Sequence, residues 1–138
     1  MEDAAKFLLS SCNEARKVLI VGYSYGSIIG ASSSSSISEC AGYILIAPPF
    51  SVSHWLLLFN SSYHLKRAIE RENMPRLLLI GTNDNFTSKS EFLKAASKFP
   101  DGTVTKVLNG LDHFFFGGEH KIVGEIEGWI KSQKSLFS

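Results

Sequence analysis

Only two cysteines occur in the 138 residues, with no C-x-x-C spacing between them, which argues against both a disulfide framework and a zinc ribbon. Cys12 and Cys40 read instead as small hydrophobes in a reducing, cytoplasmic setting. The four histidines show neither HxxxH nor HExxH spacing. The glycines of "GYSYGSIIG" depart from GxGxxG, and no phosphate-binding lysine follows them. No metal and no cofactor is therefore expected. An excess of one charge is also lacking: 14 Lys and Arg against 13 Asp and Glu give a net charge of +1, without the electrostatic footprint of a nucleic-acid binder. Apolar runs such as Trp55 to Phe59 fall far short of the roughly eighteen residues of a membrane span. Acidic residues in "MEDAAKFLL" stand where a signal peptide carries basic ones.

What is present is an ordinary globular composition, 44% hydrophobic and 20% charged, in a chain the size of one domain with a substantial core. "EDAAKFLLSSC" (2–12) carries Ala4, Phe7, Leu8 and Cys12 at spacings of three and four, which predicts an amphipathic helix with those residues on its apolar face. "KVLIVG" (17–22), "GYILIAPP" (42–49), "PRLLLIGTND" (75–84) and "TVTKVLNG" (103–110) read as strands. The continuous apolar runs among them suit parallel strands covered on both faces. A helix is expected after Ser24, with the serines 32–36 as its solvated end. Others are expected toward Glu72, over 88–99 behind a serine cap with Glu91 three residues on, and at the C-terminal end, burying Ile122, Ile126, Trp129 and Ile130. A helix followed by repeated strand–helix units predicts an α/β fold: a doubly wound, mostly parallel sheet of about four strands with flanking helices.

Ligands of such sheets sit beyond the carboxyl ends of the strands. There, Gly22-Tyr23-Ser24-Tyr25-Gly26 matches G-x-S-x-G, in which a serine occupies a sharp turn between strand and helix and small neighbours let the two arms approach. The alternative is a purely structural glycine turn. A serine nucleophile needs a base and a group to orient that base, in the chain order Ser, Asp, His. Asp84 lies past the third strand in "LLLIGTNDNFTS"; its alternative use is as an Asx-turn residue, a role open equally to Asn83 or Asn85. His113 lies past the fourth strand in "NGLDHFFFGG", whereas His54, His64 and His120 do not follow a strand directly. The alternative for His113 is simple packing among Phe114, Phe115 and Phe116. Asp112 competes as orienting acid but ranks behind Asp84, because adjacent side chains point in different directions.

"VGYSYGS", "LIAPP", "LIGTNDNFTS" and "GLDHFFFG", in that order and over nearly the whole chain, resemble the α/β-hydrolase superfamily, particularly its small, cap-poor intracellular members. The resemblance implies a serine hydrolase of esters, thioesters or amides, with Ser24 as nucleophile, His113 as base, Asp84 as acid and the Tyr25 N–H as an oxyanion donor. It implies a small acyl substrate, with Tyr23, Trp55, Leu56 and Phe114 as candidate pocket residues. The apolar segment around Trp55, Leu56, Leu57 and Phe59 serves equally well as core.

The pattern departs from the family at its front. A complete member has its elbow after the fifth strand, whereas one helix and one strand precede Ser24 here. No HGG sequence, the source of the second oxyanion donor, lies upstream of it. The chain thus reads as a single, incomplete domain, the C-terminal half of a hydrolase. Two expectations follow: weakened catalysis or a non-catalytic binding module, and an unpaired apolar edge at 17–22 inviting self-association.

Overall fold

In the computed structural model of the protein, residues 1–12, 14–51, 61–71 and 73–133 are described. The element order is α1 (Glu2–Ser11), β1 (Val18–Tyr23), α2 (Tyr25–Ser33), a 3-10 turn (Ser34–Ser36), β2 (Cys40–Ile46), α3 (Ser61–Ile69), β3 (Arg76–Gly81), α4 (Lys89–Ala96), β4 (Val104–Leu108) and α5 (Glu119–Ser132). The four strands form one sheet in chain order, β1-β2-β3-β4, parallel throughout. A parallel step needs a crossover long enough to return to the starting end, and α2, α3 and α4 lie in these three connections.

The uninterrupted apolar runs follow from burial on both faces. Every residue of β3 is buried, and so is every residue of β2 except Ile46. Alternate side chains enter two clusters. Tyr43, Leu45, Leu78 and Ile80 pack with Ala31, Ala68, Phe92 and Ala96 of α2, α3 and α4. Ile44, Leu77 and Leu79 pack on Trp129, with Ile122, Ile126 and Ile130 of α5 beside them. Burial of each large apolar side chain is worth about 1.5–3 kcal/mol, so these central strands anchor the fold. Ser88 and Glu91 form a reciprocal capping box at the start of α4.

Three expectations are corrected. Helix α1 docks through Ala5, whose small side chain permits close approach, while Phe7 and Leu8 are 68% and 58% exposed. Ala4 and Cys12 are exposed as well, so the stripe of larger residues faces outward. The serine run is no solvated helix end: Ser32 and Ser34 are buried, the Ser34 hydroxyl donates to the Ala31 carbonyl, and the Arg67 guanidinium donates to Ser35 and Ser36. Their hydroxyls find partners within the turn and on α3, which removes the need for water. Cys40 is buried as expected, whereas Cys12 is exposed.

All four strands end on one side of the sheet. Among the described residues, β1 pairs with β2 alone, and Val21 and Tyr23 on that edge are 54% and 44% exposed. The three described non-glycine residues with positive φ, Ser24 (51°), Ala47 (48°) and Phe115 (57°), all lie in the loops beyond β1, β2 and β4. Such conformations cost of order 1–3 kcal/mol each and persist where surrounding packing imposes them. Among the described residues, no helix is long and apolar enough to cross a membrane.

Candidate active site

Ser24 stands between the last residue of β1 and the first of α2, at φ 51° and ψ −132°. Its N–H extends the β1–β2 ladder, donating to Ile46 O at 2.8 Å, while its carbonyl accepts from Ser27 N at 3.0 Å and Ser27 Oγ at 2.6 Å. The elbow is therefore held from both arms. Gly22 is required by close approach: a Cβ there would lie 2.7 Å from Gly26 O and 2.8 Å from Ser27 N. Gly26 is not, since among the described residues an added Cβ meets nothing within 4 Å. Only the first of the two bracketing glycines is needed to bring strand and helix together.

His113 bridges Asp84 and Ser24. Its Nδ1 donates to Asp84 Oδ2 at 2.7 Å, and its Nε2 lies 3.0 Å from Ser24 Oγ. The side chains of His113 and Asp84 are 4% and 1% exposed. An ionised carboxylate only accepts, so the proton of a neutral imidazole resides on Nδ1. That leaves Nε2 to accept from the Ser24 hydroxyl.

The two oxygens of Asp84 have different partners. Its Oδ1 accepts from Phe86 N at 2.8 Å and Thr87 N at 2.9 Å, an Asx-type turn, while Oδ2 faces the imidazole. The turn fixes the carboxylate plane that meets Nδ1. Asp112 is used locally, accepting from Phe114 N at 3.0 Å. Of the other histidines, His64 is bonded to Ser32 Oγ at 2.9 Å, His120 lies in α5, and His54 lies outside the described residues, as do Trp55 and Leu56.

Aromatic rings wall the imidazole. Phe86 lies 4.4 Å from it between ring centroids, and Tyr23 and Phe114 lie 5.4 Å away. Tyr23, Phe86 and Phe114 are each at least 40% exposed, so the rim is apolar and open. Phe86 was not singled out in the sequence, although its place two residues after the Asx-turn acid was a usable signal. Tyr25 opens α2, placing its N–H beside Ser24 at the helix N-terminus. Among the described residues, no group of three or more His, Cys, Asp or Glu side chains is arranged to hold a metal. A cavity of about 690 Å³ between Lys17, Cys40, Arg71 and Pro75 opens at the opposite end of the sheet, away from Ser24.

The chain matches no family model and no curated protein. It is similar to solved structures. A protein of unknown function from Agrobacterium tumefaciens superposes with a TM-score of 0.75 at 20% identity, over 96% of this chain and 57% of the other. The esterase domain of a Rhodothermus marinus protein gives 0.73 at 17%, over 91% and 64%. An α/β serine hydrolase without a lid from Xanthomonas campestris gives 0.72 at 14%, over 94% and 53%. The chain thus spans between half and two thirds of the length of these structures. It has the α/β-hydrolase fold.

Proposed function

We propose that the chain carries the hydrolytic centre of a serine hydrolase acting on an ester, thioester or amide of a small acyl compound. The observation that supports this is the hydrogen-bonded line Ser24–His113–Asp84 at the carboxyl end of a parallel sheet. Ser24 Oγ attacks the acyl carbon as its proton passes to His113 Nε2, and the resulting imidazolium is stabilised by Asp84. The oxyanion forms beside the Tyr25 N–H, and its collapse expels the alcohol, thiol or amine, which takes the proton from His113. Water, deprotonated by the same imidazole, then attacks the acyl-Ser24 ester and releases the acid. Tyr23 and Phe114 flank the reacting atoms and suit an apolar acyl or aryl group. The two unpaired cysteines fit a reducing, cytoplasmic setting.

A fluorophosphonate probe tests the reading, because it labels an activated serine and spares an idle one. Labelling of the parent protein that disappears in a folded Ser24→Ala variant is the expected result. A folded parent that resists the probe identifies the chain instead as a non-catalytic module retaining the geometry.

A further inference from the structure

We propose that Tyr23 is a positioning residue for His113, its hydroxyl pinning the backbone of the base from the strand that carries Ser24. The inference rests on the hydrolytic reading above and adds a role within it.

The topology creates the need. Ser24 follows β1 and His113 follows β4, at opposite edges of the described sheet. Three strand spacings separate them, about 14 Å at the usual inter-strand distance. The loop after β4 must therefore lean across the sheet end to bring Nε2 to 3.0 Å from Ser24 Oγ. Its other hydrogen bonds hold it at the near side. Gly110 N donates to Thr82 Oγ1 at 2.9 Å, Asn83 N donates to Leu111 O at 2.9 Å, and Asn83 Nδ2 donates to Gly110 O at 3.4 Å, all just past β3. Phe114 N and Gly118 N bond within the loop.

From the far side comes Tyr23, the last residue of β1, whose Oη donates to His113 O at 3.0 Å. The Ser24–His113 hydrogen bond also spans the gap, but it is given up whenever Ser24 is acylated. The Tyr23 bond uses a main-chain carbonyl and persists through the cycle, so deacylation finds the imidazole already in place. Burial, followed by the charges of Asp84 and Asp112, pushes the Tyr23 phenol above its ordinary value, which favours its protonated, donating form. Tyr23 is 44% exposed, so losing one hydroxyl leaves the core intact.

The experiment compares the whole chain with Tyr23→Phe, which keeps the ring and removes the donor. Tyr63→Phe is the control, losing a phenol hydroxyl on α3 that accepts only from Arg67 among the described residues. Expected for Tyr23→Phe is a fluorophosphonate labelling rate and an ester kcat at least about fivefold lower, with KM within about twofold, since positional looseness acts on the reacting geometry. In 13C-histidine-labelled protein, with His113→Gln used for assignment, the His113 ring signals are sharp in the parent and broadened or doubled in Tyr23→Phe. Unchanged rates with unchanged ring signals overturn the proposal. So does a raised KM at constant kcat, which assigns the Tyr23 hydroxyl to substrate binding and not to the His113 carbonyl. If Ser24→Ala still hydrolyses ester, or the parent does not label, the hydrolytic reading fails; the ring signals then still decide whether Tyr23 holds His113.

Discussion

Leu111 lies so close over Gly81 that a Cβ at Gly81 would stand 2.6 Å from the Leu111 carbonyl carbon and 2.9 Å from Asp112 O. The missing side chain lets the loop after β4 sit directly on the end of β3, where Asn83 N donates to the Leu111 carbonyl. His113 follows two residues later. Gly81→Ala is expected to push this loop outward and separate Nδ1 from Asp84. A displacement of about 1 Å in such a site costs on the order of a hundredfold in rate, and overpacking costs about 1–3 kcal/mol in stability. Labelling kinetics on the folded fraction, beside thermal denaturation, measure both; parent-like labelling in Gly81→Ala would falsify the assigned role of this contact.

The two acids are expected to separate sharply. Asp84→Asn keeps an acceptor for Phe86 N and Thr87 N but offers the imidazole the wrong tautomer, so turnover should drop by up to about four orders of magnitude, as in serine-protease triads. Asp112 serves only Phe114 N among its described hydrogen bonds, and Asp112→Asn should leave turnover within about tenfold. Steady-state ester hydrolysis by the two variants decides the order. The reverse ranking assigns the orienting acid to Asp112.

Tyr43 links the core to alkaline pH. Its hydroxyl donates to Ala68 O at 2.6 Å and accepts from Arg76 Nε at 2.8 Å, and burial pushes its pKa up to about 12 from 10.0. The folded chain therefore holds this proton more tightly than the unfolded one. The contribution is complete below pH ~10 and is lost as pH rises toward about 12; two units correspond to about 3 kcal/mol. The stability difference between the parent and Tyr43→Phe, followed by urea unfolding from pH 9 upward, should shrink over this window. A difference independent of pH contradicts the assignment.

The edge of β1 leads to an expectation about association. Val18 N and Ser24 N point toward β2, donating to Glu39 O and Ile46 O, so the alternate groups of Leu19, Val21 and Tyr23 face outward. Half-exposed Val21 adds apolar surface without a charge to discourage pairing. Concentration-dependent self-association by light scattering is expected, reduced in Val21→Lys. A monodisperse monomer at high concentration shows that this edge is protected by other means.

Much of the architecture was legible because its causes are local. Unbroken apolar runs marked β1 and β3 and most of β2, Ser88 with Glu91 marked the start of α4, and a serine between Gly22 and Gly26 at a strand end marked the elbow. Each depends on residues within a few positions of one another. Local spacing misled at α1, where two apolar stripes share one helical period and packing selected Ala5 over Phe7 and Leu8. It misled again at the serine run, whose composition suggested solvent but whose hydroxyls are bonded to backbone, Arg67 and His64.

The sequence by itself determined the order of strands and helices, the two-sided burial of β2 and β3, and the end of the sheet where Ser24, Asp84 and His113 each emerge. The tertiary structure alone decided that His113 reaches both Ser24 and Asp84, 89 and 29 positions away, that Asp84 divides its two oxygens between a turn and an imidazole, and that Tyr23 holds the His113 carbonyl across 90 positions. A strand end can be read from its own side chains. Which loops then meet depends on strand order, crossover path and how far each loop leans, and these are set by packing among segments that no single stretch of chain contains.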